Sequence, residues 1–167
     1  MKYDVIVVGA GNGGLAAAAN TAKAGCKTLL LEKHNIPVVS TMMGIGVMPT
    51  ENKLYLGMLG SHGKGVANRA IHEADVILIC GARVGDRAVA APGQLSANSK
   101  IIHIDIDPAE IGKNVSVTVP IVGDMNNVIN KLCDIIGDFH VSQEWEDTTD
   151  RWKNELSRTA PTFEGCV

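Results

Sequence analysis

A chain of 167 residues, 46% of them hydrophobic, has room for one ordinary α/β domain with a real core and a tail. Its formal charge of −3, with no Lys/Arg cluster along the chain, gives no footprint for nucleic acid, and no run approaches the roughly 20 apolar residues of a membrane span. Cys26, Cys80, Cys133 and Cys166 are scattered without a C-x-x-C pair or a histidine at zinc-ligand spacing, so neither a disulfide framework nor a metal site is indicated, and a cytoplasmic location is expected.

The first predicted element is a buried strand over the β-branched run Asp4 to Val8. Gly9, Gly11 and Gly14 follow at G-x-G-x-x-G spacing and open an alanine-rich helix. In such a turn the first glycine allows the tight bend, the second admits a pyrophosphate to the backbone N–H groups, and the third lets helix pack on strand. Glu32, closing "KTLLLE", stands where an acid would bond a ribose 2′-hydroxyl. Asp4 and Asn12 interrupt the apolar run, which argues against a secretion signal. The pattern alone does not separate FAD from NAD. The stretch from Lys2 to Pro37 resembles the N-terminal FAD motif of flavoprotein oxidoreductases of the phytoene-desaturase type.

From Pro37 apolar strand-like runs alternate with helical or loop segments, the signature of a parallel sheet covered on both faces. "IPVVST" (36–41), "VILICG" (76–81), "KIIHID" (100–105) and "VPIVG" (119–123) are the predicted strands. Val66, Ala67, Ala70, Ile71 and Ala74 form one helical face, and Asp124 is placed to cap a second helix with the stripe Met125, Val128, Ile129, Leu132 and Ile136. Beyond Val141 the tail carries both tryptophans. Trp145, Trp152 and Leu156 share a helical face, predicting a short amphipathic helix that docks on the domain or on a missing neighbour.

"IPVVSTMMGIGVMP", "LYLGMLGSHG", "AIHEADVILICGARVGDR" and "KIIHIDIDPAEIGKNVSVTVPIVGD" resemble, in order and spacing, the central domain of the acetohydroxyacid (acetolactate) synthase large subunit. The likeness runs from about Asn35 to at least Ile136. The resemblance implies a domain that holds an FAD with no part in redox chemistry, while thiamine diphosphate and Mg²⁺ sit between two other domains. No counterpart of the thiamine-activating glutamate or the metal-binding motif occurs here, so no autonomous catalysis is expected. By the same resemblance Thr41 and Met42 would lie beside the flavin ring, with Gly60 and His62 in a loop near it. Gly81, Ala82 and Arg83 would meet the diphosphate, Asp105 and Ile106 would hold adenosine, and Asp124 would add a contact.

Plainer readings stand beside these. His62 also suits a hydrogen-bonded loop residue, Asp105 and Asp107 can cap the turn at Pro108, and His72 and His103 read as packing or surface residues. Arg83 has Asp86 as a nearby counter-ion, yet its glycine-flanked place after a buried strand favours a ligand. The chain departs from the family pattern in Ser61, which replaces a methionine, and in "VGDR" for "FDDR", where Gly85 removes a carboxylate. Arg87 matches an arginine that faces substrate in the whole enzyme. Asn35 to Pro37 reads as a crossover between two genes.

The expected fold is therefore a doubly wound, Rossmann-like α/β nucleotide-binding domain over residues 1–140, flavoprotein-like to 36 and synthase-like from 37, with a charged tail over 141–167. The expected function is a flavin-binding module, alone or with missing thiamine-binding domains or a second copy of itself. The alternatives are a fragment of an FAD-dependent oxidoreductase, for whose substrate domain the chain is too short, and an assembly fragment. One conflict remains inside this reading. Residues 28–31 and 36–40 cannot both be neighbouring parallel strands, because the crossover such a pair needs is far longer than Glu32 to Asn35. The later segment is favoured.

Overall fold

The computed structural model describes residues 34–85, 88–89 and 92–156, and the backbone of residues 4–8. Six strands, β1 (Asp4–Val8), β2 (Val38–Ser40), β3 (Tyr55–Met58), β4 (Val76–Cys80), β5 (Lys100–Asp105) and β6 (Val119–Val122), form one sheet in the order β3-β2-β1-β4-β5-β6. Every pairing is parallel. The chain winds outward in one direction from β1 to β3, then returns to the other side of β1 with β4. That reversal is the topological switch point of a doubly wound, Rossmann-like sheet.

The predicted strands at 4–8, 76–81, 100–105 and 119–123 form as read, to within a residue at their ends. Within 36–41 the sheet takes only Val38 to Ser40, with Ile6 opposite Val38 and Val8 opposite Ser40. The later of the two competing segments thus lies beside β1, while residues 28–31 and Glu32 fall outside the described residues. β3 was not predicted. Its register against β2 skips Leu56, so that Val38 faces Tyr55 and Val39 faces Gly57, and Gly57 takes φ +99 at this bulge.

Among the described residues four helices cover the sheet: α1 (Gly65–Glu73), α2 (Pro92–Asn98), α3 (Met125–Ile136) and α4 (Gln143–Glu155). α1 buries Val66, Ala67, Ala70 and Ile71, the predicted stripe, whose alanines allow a close approach to the strands. α3 is capped as expected, since Asp124 Oδ1 accepts from the N–H groups of Asn126 and Asn127 at 3.0 and 3.1 Å. Val38, Val39, Ile77, Ile79, Ile101 and Ile104 form the buried centre of the sheet, and Cys80 joins the core. β6 is an edge strand, and Pro120, which has no N–H to offer a further strand, suits that place.

The tail helix docks on its own domain. Trp145 and Trp152 are buried and meet edge to face, with ring centroids 5.4 Å apart at 89°. The Arg69 guanidinium of α1 lies 4.4 Å from the centre of the Trp152 ring, and Lys153 Nζ donates to the carbonyl of Lys53. Upstream, buried His34 donates from Nδ1 to the carbonyl of Phe139, and Val141 N–H donates to the carbonyl of His34 at 3.0 Å. The start of the tail is thereby stitched to the residues that lead into β2.

Candidate functional site

A parallel sheet puts the carboxyl ends of all its strands along one edge, and the loops leaving that edge can reach a common ligand. The residues singled out in the sequence follow strand after strand: Thr41 and Met42 follow β2, Gly60 and His62 follow β3, Gly81 to Arg83 follow β4, Asp105 closes β5 with Ile106 beyond it, and Asp124 follows β6. The glycine turn follows β1, and Gly9, Gly11 and Gly14 lie outside the described residues, as do Asp86 and Arg87. β1 and β4 flank the switch point, so the "GAR" segment leaves from the strand end next to that of β1.

After β2 the chain makes one 3₁₀ turn over Met42–Gly44, entered from Thr41 in extended conformation. Met42, Met43 and Ile45 stand in solvent, 57–75% exposed. Ile106, after β5, is 58% exposed. This edge therefore presents apolar side chains that the domain itself leaves uncovered.

The loop after β3 is held tightly. Gly60 has φ +111, its N–H donates to Asn68 Oδ1 at 2.8 Å, and its carbonyl accepts from Asn68 Nδ2 at 2.9 Å. Lys64 N–H returns to the carbonyl of Met58 at 2.7 Å, closing the loop. His62 is exposed, with Nδ1 3.2 Å from Ser61 Oγ.

After β4, Gly81 takes φ +59 while its N–H bonds the carbonyl of Ile104 across to β5 at 2.9 Å. Ala82 is buried and Arg83 exposed. Arg83 Nε lies 3.1 Å from Oε2 of Glu110, a nearly buried carboxylate whose Oε1 also accepts from Lys113 Nζ at 3.0 Å.

Asp105 and Asp107 both serve the turn at Pro108: Asp105 Oδ1 accepts from Asp107 N–H at 3.0 Å, and Asp107 Oδ1 from Ala109 N–H at 2.9 Å. This bond engages one oxygen of Asp105. His72 is exposed on α1, and His103 is buried under the loop after β5, its Nδ1 3.4 Å from Gly112 N. Burial depresses the His103 pKa below the usual histidine range, outweighing the Asp105 and Glu110 carboxylates, which pull it upward.

Three residues at this edge escaped the sequence reading: Glu110, Asn68 and Asn114, whose Nδ2 donates to the carbonyl of Arg83 at 2.6 Å. The i,i+3 pairing of Glu110 with Lys113 was a local signal for the first; the others bond partners visible only in the fold. Away from the edge, a void of about 30 Å³ between β3 and α4, lined by Pro37, Leu54 and Thr149 among others, has room for a water or two but no nucleotide. Among the described residues no group of three or more His, Cys, Asp or Glu is placed to hold a metal ion, and no helix is long and apolar enough to cross a membrane.

Residues 4–132 match the family model for the thiamine pyrophosphate enzyme central domain. The match takes in β1 and the glycine turn, and so begins well before Asn35. The acetolactate synthase large subunit of Haemophilus influenzae is 40% identical over 127 residues, 73% of this chain and 22% of that protein. A probable acetolactate synthase large subunit of Methanocaldococcus jannaschii is 50% identical over 103 residues, 62% and 17%. Isozyme 3 of Escherichia coli is 38% identical over 133 residues, 78% and 23%. The chain spans about a fifth of the length of the curated relatives it matches. With the parallel sheet and its reversal at β1, these matches make the chain a member of the thiamine pyrophosphate enzyme central-domain family, homologous to the acetolactate synthase large subunit.

Proposed function

We propose that this chain is an FAD-holding module of a cytoplasmic acetolactate-synthase-like enzyme and performs no chemistry by itself. The observation that carries this reading is the gathering of Thr41, Met42, Gly60, His62, Gly81, Ala82, Arg83, Asp105, Ile106 and Asp124 along one carboxyl edge of the sheet. The chemistry of that edge suits a flavin dinucleotide. Arg83 offers a cation for the diphosphate, the Asp105 carboxylate offers an acceptor for a ribose hydroxyl, and exposed Met42, Met43, Ile45 and Ile106 offer apolar cover for aromatic rings. When bound, FAD would supply a rigid aromatic body at this edge, and the chain's own residues would only bind and orient it.

Thiamine diphosphate and Mg²⁺ belong, in this reading, to the remainder of a longer enzyme, and no residue of this chain is assigned to them. Residues 4 to 24, within the segment that resembles a flavoprotein FAD motif, would fill the place of the family's own first strand and helix, so that both halves of the mosaic serve one FAD. Docking of α4 on α1 occupies the Trp145 and Trp152 stripe within the chain, which removes the main support for a free assembly fragment.

The test is to purify the chain, identify any bound molecule by visible absorption and mass spectrometry, and titrate the colourless protein with FAD and with NADP. Uptake of FAD in preference to NADP is expected. A chain that takes up no FAD at high micromolar concentration refutes the reading. Sustained acetolactate formation from pyruvate with added thiamine diphosphate and Mg²⁺ would refute the absence of independent catalysis.

A further inference from the structure

β5 and β6 are neighbouring parallel strands, yet residues 106–118 join them without the helix that such a crossover usually contains. A segment of that length with no regular structure needs other anchors. Val115 is buried, Thr118 N–H donates to the Ile101 carbonyl at 2.8 Å, and Asn114 Nδ2 donates to the Arg83 carbonyl at 2.6 Å. In the middle of the crossover, Gly112 takes φ +73 and turns its N–H toward Nδ1 of His103, 3.4 Å away. His103 lies within β5, level with Ile79 on one side and Pro120 on the other, and is only 1% exposed. A backbone N–H can only donate, so Nδ1 is the acceptor and the ring proton sits on Nε2, a buried atom with no hydrogen-bond partner among the described residues.

We propose that His103 is a proton-sensitive latch for the β5–β6 crossover: the neutral ring accepts the Gly112 N–H and holds the segment over β5, and a second ring proton evicts that donor and lets the segment open. A doubly protonated ring has a donor at each nitrogen, and the one at Nδ1 would meet another N–H. The groups around the ring do not rescue the charge in place. Asp105 on β5 and Glu110 on the crossover favour the charged ring, as does the carbonyl of Ala82, but burial outweighs all three. Lys113 bonds Glu110 and Arg83 stands beside it, so two cations offset the two carboxylates. The ring therefore gains its proton by opening to water. Opening carries away Asp107, whose N–H holds the Asp105 carboxylate, and Asn114, whose amide holds the Arg83 carbonyl. Acid thus loosens the carboxyl edge at β4 and β5, whatever ligand that edge takes.

The experiment follows amide exchange in the full chain by NMR between about pH 7.5 and 5.5, each rate expressed as protection relative to an unstructured chain at the same pH. At the upper end the ring nitrogens of His103 should show the Nε2–H tautomer. The protection of Gly112 should lie below that of Ile79, buried at the sheet centre, because the crossover opens by itself. On acidification it should fall by as much as about tenfold per pH unit, the limit for one proton taken up on opening. In His103→Gln, whose amide does not titrate, Gly112 protection should stay nearly level with pH. The Nδ1–H tautomer at neutral pH overturns the proposal. So does a level wild-type protection, an equal slope in the glutamine variant, or a Gly112 amide that exchanges only together with Ile79. If His103→Gln does not fold, the tautomer and the wild-type slope decide.

Discussion

Asn68 on α1 grips the backbone of Gly60 from both sides, its Oδ1 accepting from the Gly60 N–H at 2.8 Å and its Nδ2 donating to the Gly60 carbonyl at 2.9 Å. One carboxamide thus completes the hydrogen bonding of a residue at φ +111 and fixes the loop after β3 to the helix that follows it. Asn68→Ala removes both bonds from a buried peptide unit, and a loss of about 1–3 kcal/mol in unfolding free energy is expected by urea titration. Asn68→Asp keeps the acceptor but sets a carboxylate oxygen against a carbonyl, so it should do no better than alanine. An aspartate variant as stable as wild type would show that the donor half contributes nothing.

The same loop leaves no room at Gly63. An added Cβ would come within 2.3 Å of the carbonyl oxygen of Met58 and 2.7 Å of the carbonyl carbon of Leu59, backbone atoms that cannot swing aside. Gly63→Ala should therefore cost at least about 1–3 kcal/mol, the range for forced overpacking. At Gly85 an added Cβ meets nothing within 4 Å, and Gly85→Ala should lie within about 0.5 kcal/mol of wild type. Equal effects at the two positions, measured side by side by thermal unfolding, would contradict this loop geometry.

Burial of His103 has a pH signature. Its folded-state pKa is depressed, so the unfolded chain takes up the proton first as pH falls. The stability tied to this group is present above the usual histidine pKa and is lost as pH drops from there toward the folded value. The slope is at most that of one proton, about 1.4 kcal/mol per pH unit. Stability measured between about pH 7.5 and 5 should decline in wild type and decline less in His103→Gln. Parallel curves for the two proteins would show that another group carries the acid sensitivity.

Both tryptophans of the chain lie in the α4 contact, so tryptophan fluorescence, excited selectively, reports on the docking of that helix. Trp145→Ala removes a fully buried indole and its edge-to-face partner, and about 3–5 kcal/mol of stability with it. Arg69→Ala removes the cation above Trp152 and should cost about 0.5–1 kcal/mol, in keeping with its exposure. A Trp145→Ala protein of undiminished stability would mean that α4 is not part of the cooperative unit.

The elements legible in the sequence were those whose pattern is strong over their own length: β-branched runs at 76–80 and 100–105, alanine and valine at helical spacing in α1, and tryptophans seven residues apart in α4. β3 was missed because "YLGM" is four residues long and interrupted by Gly57, the residue that makes the bulge possible. α2 was missed because "PGQLSAN" opens with Pro92 and Gly93 and has too few turns for a periodicity to show. At the candidate site the positions at the strand ends could be listed one strand after another. The groups that hold them in place could not, since Asn114 reaches the carbonyl of Arg83 across 31 residues. Capping and turn roles were visible because they act within three residues, as Asp124 and Asp107 do.

Under the proposed FAD-holding reading, topology favours one acid over the other as the partner of the ribose. In a dinucleotide-binding sheet that acid follows the second strand, at its carboxyl end. Here the strand beside β1 is Val38–Ser40, and its carboxyl end carries Thr41, whereas Glu32 precedes the strand in the chain. Asp105 ends β5 on the carboxyl edge, with one carboxylate oxygen engaged by the N–H of Asp107. Asp105→Ala should therefore weaken FAD binding by about 1.5–3 kcal/mol, the worth of a charged hydrogen bond, while Glu32→Ala leaves it nearly unchanged. Because Asp105 also supports its own turn, Asp105→Asn is the necessary companion: its amide oxygen still accepts from Asp107, so affinity lost in both variants belongs to the carboxylate and not to a disordered loop. Flavin titration of the three proteins decides the matter. A large loss in Glu32→Ala with Asp105→Ala unaffected would mean that the glycine motif and its acid govern binding, and that the strand ends after Pro37 do not.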